Sequence, residues 1–274
     1  MPNDLGQIPV FLTEELFRAS LPEFIDLYKS RPILNNAGGM GFNHSWALWY
    51  LVRKTNPKII VESGVWKGHS TWIIERACPN AQLYCFDINL KNLEYKSNAA
   101  IYFEDDFTKF DWSNVDIING MCLFDDHQNI LERIIKAKWF GFQHIIIEDN
   151  WPVGEGDCYS IRHMMAGTGF PKSQMSSLYL GSRLQQVKRK RLDQQLMNHY
   201  DQQSRLVKPN PVDILNLNKN VNFIFEMNPV FLEKKNNWGG EYTNNYESKS
   251  PLLSIAPITD ADYSYSYLTY LKLK

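Results

Sequence analysis

The chain has 274 residues, of which 44% are hydrophobic and 22% are charged, and its formal net charge is −1. This length and apolar content allow a sizeable buried core in one large domain or two small ones. The near-neutral charge argues against a polyelectrolyte that binds nucleic acid, and no apolar run reaches the roughly 18 residues that a membrane span needs.

The first predicted elements precede residue 57. A glycine-rich loop over residues 36–42 is followed by Ser45, a residue type that caps helix N-termini well. We therefore predict a helix over residues 46–54. Residues 1–56 are expected to form a helical cap in front of the main sheet.

Short apolar runs then alternate with segments of helical length. This alternation is typical of parallel strands whose sheet is covered by helices on both faces. The strands predicted in this part of the chain are residues 58–62, 82–87, 100–103, 115–124 and 144–148. The fold class predicted is α/β: a Rossmann-like, doubly wound, mostly parallel seven-stranded sheet with an antiparallel C-terminal strand.

The second half of the chain carries fewer signals. Residues 178–206 are polar and helix-prone, and the basic run 188–191 within them fits a solvated helix face or a clamp for an acidic substrate. Strands are predicted over residues 222–226 and over the alternating residues 263–270, with a long loop between them. We expect one domain over residues 1–274, in which 57–155 form the core and 156–274 add helices and the last strands.

Acidic residues end four of the predicted strands. The carboxyl ends of parallel strands meet at one edge of a sheet, and ligands bind there. We therefore expect a functional site on the rim that carries Glu62, Asp87, Asp125 with Asp126, and Glu148 with Asp149.

The turn after the first of these strands reads Glu62-x-Gly64-x-x-x-Gly68. Glycine lets the backbone approach a ligand closely, and the helix N-terminus that follows offers free N–H groups. The spacing is neither that of a dinucleotide-binding GxGxxG turn nor that of a P-loop. Together with Asp87 after the next strand, it resembles the first motifs of class I S-adenosylmethionine-dependent methyltransferases.

That resemblance implies S-adenosylmethionine as the cofactor. The residues it assigns to cofactor binding are Glu62, Gly64, Gly68, Ser70, Asp87 and Asp106. The acid and glycines of the turn would hold the methionine part, and Asp87 would accept hydrogen bonds from both ribose hydroxyls. Asp105 or Asp106 would lie near the adenine.

The ends of the fourth and fifth strands, Asp125-Asp126-His127 and Glu148-Asp149-Asn150, offer an oxygen-rich set of ligands that suits Mg²⁺. They resemble catechol-type O-methyltransferases, which implies Asp126, Asp149 and Asn150 as metal ligands. They also resemble macrocin- and cephalosporin-hydroxylase-like O-methyltransferases, which implies Asp125 or Asp126 with Glu148 and Asp149. The sequence does not decide between these two sets of metal ligands, which we call the catechol-type register and the natural-product register.

The general base is the point where the chain departs from the catechol-type pattern. Those enzymes place a lysine three residues after the strand-four Asp, where this chain has Asn129. His127 is the nearest candidate base, although its ring could instead stack near the adenine or cap the turn. His163 is a weaker candidate.

The resemblance covers residues 36–155 and implies a Mg²⁺-dependent O-methyltransferase. Its acceptor would be a hydroxyl of a small molecule, such as a sugar, a catechol-like ring or a natural product, with no nucleic acid or membrane partner. Two alternatives stay open: a non-methylating protein of the same fold, to which the missing lysine points, and a metal-assisted hydrolase, which the acids at the strand ends permit. The oligomeric state is also open, a homo-oligomer included.

The cell compartment is suggested by the N-terminus and the cysteines. The first residues lack the basic start and apolar stretch of a signal peptide, and the cysteines form no CxxC pair. We therefore expect a cytoplasmic protein, and we expect Cys85 and Cys122 to be reduced and buried in strands.

Overall fold

The computed structural model describes residues 9–151, 153, 156–170, 210–227 and 268–274. The strands are β1 (Ile59–Ser63), β2 (Gln82–Phe86), β3 (Ala100–Phe103), β4 (Met121–Phe124), β5 (His144–Ile147), β6 (Val221–Glu226) and β7 (Thr269–Leu273). The helices are α1 (Glu14–Ala19), α2 (Leu21–Tyr28), α3 (Phe42–Thr55), α4 (His69–Ala77), α5 (Ile130–Phe140), α6 (Ile161–Ala166) and α7 (Val212–Asn220).

The seven strands form one sheet in the order β3-β2-β1-β4-β5-β7-β6. Strands β1 to β5 pair in parallel. Strand β7 is antiparallel to both of its neighbours, β5 and β6, so that β6 runs in the same direction as β1 to β5. This confirms the predicted Rossmann-like sheet, whose strand order reverses between β1 and β4, the position where such folds bind ligands.

Helices cover both faces of the sheet. Neighbouring residues of a strand point to opposite faces, and here both faces are apolar because both are buried. Ile60 and Leu123 belong to the core on the side of α3 and α4, whereas Val61 and Cys122 belong to the core on the side of α5.

Two predicted boundaries are wrong. The helix predicted from residue 46 begins at Phe42, with Gly41 as its N-cap in an extended conformation. Ser45 therefore lies inside the helix, where its hydroxyl contacts the buried ring of His69 at 3.0 Å from Nε2. The strand predicted over residues 115–124 is reduced to β4, because the chain turns at Asn119, whose φ is +60°.

The structure can be compared with only part of what the sequence predicts for the second half of the chain. The prediction for residues 222–226 is confirmed by β6. The prediction for residues 263–270 overlaps β7 at residues 269 and 270, while 263–267 lie outside the described residues. The basic helix over 178–206, its run 188–191 and the long loop after β6 also lie outside them, apart from Met227.

The cysteines are buried and free, as expected for Cys85 and Cys122. Within the described ranges, every helix is too short or too polar to cross a membrane.

Candidate functional site

The turn between β1 and α4 requires both of its glycines. Gly64 has a φ of +93° and Gly68 a φ of +89°, a region that side chains strongly disfavour. A Cβ on Gly64 would lie 2.1 Å from the carbonyl oxygen of Asp125, and one on Gly68 would lie 2.2 Å from that of Tyr95. The turn is therefore packed directly against the end of β4.

Asp87 shapes this turn from the end of β2. Its Oδ2 accepts hydrogen bonds from the backbone N–H groups of Val65 at 2.8 Å and Trp66 at 3.0 Å. Its Oδ1 accepts one from the N–H of Asn89 at 2.9 Å. Asp87 thus lies beside the glycine turn, as the sequence predicted, while its contact with a cofactor remains a prediction.

Glu62 lies inside the protein, against α4, instead of facing the open rim. Its Oε2 accepts hydrogen bonds from Thr71 at 2.6 Å and from the thiol of Cys85 at 3.1 Å. Within the described part of the chain, Oε1 is buried without a partner. Burial raises the pKa of Glu62 to about 7.

The ends of β4 and β5 bring three carboxylates together. Burial, followed by the charges of Glu148 and Asp149, raises the pKa of Asp125 well above its usual range. Burial and the charge of Asp149 do the same for Glu148. One ligand atom each from Asp125, His127 and Asp149 lie within 4.8 Å of one another. A bound cation would relieve this repulsion.

His127 is held by two carboxylates. Its Nδ1 lies 3.0 Å from Oδ2 of Asp149 and 3.1 Å from Oδ1 of Asp157. Burial alone would lower the pKa of His127, but these charges outweigh it and raise that pKa well above its usual range. The same ion pair lowers the pKa of Asp149 despite its burial. Asp157 was missed from the sequence because it follows no predicted strand.

Two further residues contact the acids, and the sequence predicted neither contact. His44, near the start of α3, pairs through Nδ1 with Oε1 of Glu148, and both side chains are buried. The indole N–H of Trp151 donates to Oδ1 of Asp149 at 2.9 Å. The helical cap therefore reaches the acid cluster through His44.

Arg133, on the buried face of α5, binds two of the predicted site residues. It donates to both carboxylate oxygens of Asp106, at 3.0 and 2.6 Å, and lies 2.9 Å from Oδ2 of Asp126. That same oxygen accepts a hydrogen bond from Ser63 at 2.6 Å. Asp126 is thus turned toward a guanidinium group, away from the acids at the end of β5.

Asn150 joins the end of β5 to the last two strands. Its amide group donates to Oε1 of Glu226 and to Oγ1 of Thr269, both at 2.9 Å. Its carbonyl oxygen accepts a hydrogen bond from the backbone N–H of Arg162 at 3.1 Å. All the polar atoms of its amide therefore have protein partners.

His163 lies in the capping box of α6. Its Nδ1 lies 2.7 Å from the hydroxyl of Ser160, the side chain is fully buried, and burial lowers its pKa to about 4. This environment differs from that of His127, whose side chain is 38% exposed at the rim.

Several solved structures are similar to this chain, and some of them are named as methyltransferases. A structure described as "cmcI-D160 Mg-SAM" is 18% identical over 43% of this chain and 58% of that chain, just over half its length, with a TM-score of 0.32. The O-methyltransferase TomG from Streptomyces achromogenes, in complex with SAM, is 15% identical over 52% of this chain and 66% of that one, with a TM-score of 0.32.

A third structure, the SAH-bound methyltransferase PaMTH1 from Podospora anserina, is 10% identical over 97% of this chain and 89% of that one, with a TM-score of 0.44. No protein-family model matches the chain, and no curated protein sequence matches it. Likenesses this weak do not assign a function to the chain.

Proposed function

We propose that this chain is a divalent-cation-dependent O-methyltransferase that uses S-adenosylmethionine and acts on a hydroxyl of a small molecule. The observation that carries this proposal is the backbone contact between Gly64 and Asp125. It joins the glycine turn, the proposed cofactor site, to the acid cluster, the proposed metal site. A methyl donor and a metal-bound hydroxyl would therefore be neighbours, which in-line transfer requires.

The residues proposed to hold the cation are Asp125, Glu148 and Asp149. Their carboxylates supply the oxygen ligands that Mg²⁺ prefers, and their mutual repulsion favours a bound cation. Asp126 and Asn150 are left out because their side chains turn toward Arg133 and toward the last two strands, and not toward Asp125 and Asp149. This supports the natural-product register with Asp125 over the catechol-type register.

A bound Mg²⁺ would lower the pKa of an acceptor hydroxyl and fix its direction. A vicinal diol, as in a sugar or a catechol, would suit such a site because both of its oxygens could bind. On the cofactor side, Asp87 and the glycine turn would hold S-adenosylmethionine beside Asp125. The proposed acceptor classes are sugars, catechol-like rings and natural products.

His127 is the proposed general base. Its Nδ1 is oriented by Asp149 and Asp157, in the way that a carboxylate fixes an imidazole ring for proton transfer. Nε2 has no hydrogen-bond partner in the described ranges, and the ring is partly exposed. Because the two carboxylates raise the pKa of His127, Nε2 would accept the proton of the acceptor only once a bound cation offsets their charge.

Calorimetry tests the cofactor and the cation separately. We expect S-adenosylhomocysteine to bind the wild-type protein, and Mg²⁺ to bind at a single class of sites. Asp125→Asn should weaken Mg²⁺ binding by at least about tenfold, since it removes one charged ligand. The matched variant Asp126→Asn, changed at the next residue, should weaken Mg²⁺ binding much less than Asp125→Asn does, because Oδ2 of Asp126 lies on Arg133 and not on the cation site.

The outcomes separate the alternatives. No binding of S-adenosylhomocysteine would refute the methyltransferase proposal. Binding without methyl transfer to any hydroxyl in a panel of sugars, catechols and polyphenols would favour the non-methylating alternative. If Asp126→Asn weakened Mg²⁺ binding and Asp125→Asn did not, the register proposed here would be wrong.

A further inference from the structure

We propose that Arg133 is a positioning residue that couples the cofactor side of the rim to its acid side, so that binding on one side strengthens binding on the other. The inference rests on the proposed function. It goes beyond that function in two ways. Arg133 would contact neither the cofactor nor the cation, and it would make the binding of one depend on the binding of the other.

The first step is the connection that Arg133 makes. Its side chain is 8% exposed, and its guanidinium group bridges Asp106, which follows β3, and Asp126, which follows β4. Through Asp126 the network continues to the hydroxyl of Ser63, the last residue of β1 and the neighbour of Gly64. One cation thus links three strand ends.

The second step is the effect on Asp125. Its backbone N–H donates to the carbonyl of Ser63 at 2.9 Å, so that the strand pairing of β1 and β4 continues through it. The two neighbouring carboxylates point to different partners. Oδ2 of Asp126 lies on Arg133, whereas Asp125 places a carboxylate oxygen within 4.8 Å of ligand atoms of His127 and Asp149.

The third step concerns energetics. Removing one partner of a buried ion pair is costly, while the intact pair adds little net stability compared with apolar side chains of the same size. The network is therefore a poor device for stabilising the fold. It does fix the directions of Asp106, Asp126 and Ser63 relative to one another, because the planar guanidinium binds carboxylates in a set geometry.

The test measures coupling and not affinity alone. The dissociation constant of S-adenosylhomocysteine is determined by calorimetry with and without saturating Mg²⁺, in the wild type and in Arg133→Lys. Lysine keeps the charge and loses the bidentate geometry. We expect Mg²⁺ to strengthen binding by at least about fivefold in the wild type, the lower end for allosteric coupling, and by less than about twofold in Arg133→Lys.

Two further variants keep the test interpretable. Arg53→Lys alters an exposed arginine that pairs with Glu23 on the surface and should leave the coupling ratio unchanged. Ser63→Ala removes only the hydroxyl that ties Asp126 to β1 and should lower the ratio even if Arg133→Lys fails to fold. A purely structural role would lower the melting temperature and keep the ratio.

An unchanged ratio in both Arg133→Lys and Ser63→Ala, or a wild-type protein that binds both ligands without coupling, would overturn the inference and leave the proposed function standing. Failure of the wild type to bind S-adenosylhomocysteine at all would instead refute the proposed function.

Discussion

A methyl group on Gly64 would lie 2.1 Å from the carbonyl oxygen of Asp125. The turn after β1 and the end of β4 are therefore in contact through their backbones, with no space for a side chain between them. Such a contact transmits small shifts of one segment to the other, because neither can yield without breaking strand pairing. Disturbing it should affect the fold and both halves of the rim together.

Gly64→Ala is expected to destabilise the protein severely and to abolish binding of S-adenosylhomocysteine. The new methyl group would collide with the backbone of Asp125. In addition, residue 64 has a φ of +93°, which disfavours any side chain. Urea unfolding and calorimetry measure the two effects.

Gly167→Ala is the matched control. Gly167 also has a positive φ, +66°, but a Cβ there meets no atom within 4 Å. It should cost only about 1 kcal/mol, the contribution of the backbone conformation alone. Equal losses of stability in the two variants would show that the contact with Asp125 is unimportant.

Asp87→Ala is expected to weaken binding of S-adenosylhomocysteine by at least about tenfold, because a charged hydrogen bond contributes more than 1 kcal/mol. It would also release the N–H groups of Val65 and Trp66 in the glycine turn. Asp111→Ala removes a carboxylate that likewise accepts a backbone hydrogen bond, from Ser113, on an exposed turn. Similar affinities of the two variants would remove Asp87 from the cofactor site.

Glu62→Gln should stabilise the protein at pH 8 and have much less effect at pH 5. Burial raises the pKa of Glu62 from 4.5 to about 7, so the folded protein holds a proton that the unfolded chain releases between these values. The wild type therefore loses stability as the pH rises through this window, by about 3 kcal/mol. Glutamine has no proton to release.

Urea titrations of the wild type and Glu62→Gln at pH 5, 6, 7 and 8 measure this difference. A stability difference that stays constant over the series would show that Glu62 is ionised in the folded protein throughout.

His144 should have the opposite effect on the pH dependence of stability from that of Glu62. Burial, and then the charge of Lys272, lowers its pKa from 6.5 to about 4. Between these values the unfolded chain binds a proton that the folded protein does not, so stability falls as the pH falls. His144→Gln should reduce the slope of unfolding free energy against pH by about 1.4 kcal/mol per unit between pH 6.2 and 4.5, roughly one proton.

Above pH 7.5 the wild type and His144→Gln should show parallel pH dependence, because the histidine is neutral in both the folded and the unfolded state. Slopes that are parallel below pH 6 as well would refute a neutral, buried His144.

The sheet could be predicted from the sequence because its signals are local. Strand β1 (Ile59–Ser63) is an example: it is an apolar run followed by a glycine turn and a helix. Its structure can be predicted from these few neighbouring residues alone. The rule that parallel strand ends share one edge then brought Asp87, Asp125 and Asp149 to one rim. The position of β7 between β5 and β6 depends on pairing between distant residues, for which the sequence carries no local signal.

The partners of the acids could not be predicted for the same reason. Arg133 reaches Asp106 across 27 positions of sequence, and the pairing of His44 with Glu148 requires α3 to lie over the end of β5. One signal for Arg133 was present: a charged residue stands among the buried positions Ile130, Ile134 and Ala137 of an amphipathic helix. Such a residue usually has an ionic partner.

Strand β7 comes after all the other described strands in the chain but lies inside the sheet, with β5 on one side and β6 on the other. During synthesis, β5 therefore keeps an unpaired edge until residue 273 has left the ribosome, and exposed edges of this kind promote aggregation. Thr269, which holds the amide of Asn150 behind the acid cluster, arrives in the same step. The pairing of β5 and the support of the acid cluster by Thr269 are therefore gained in the same step.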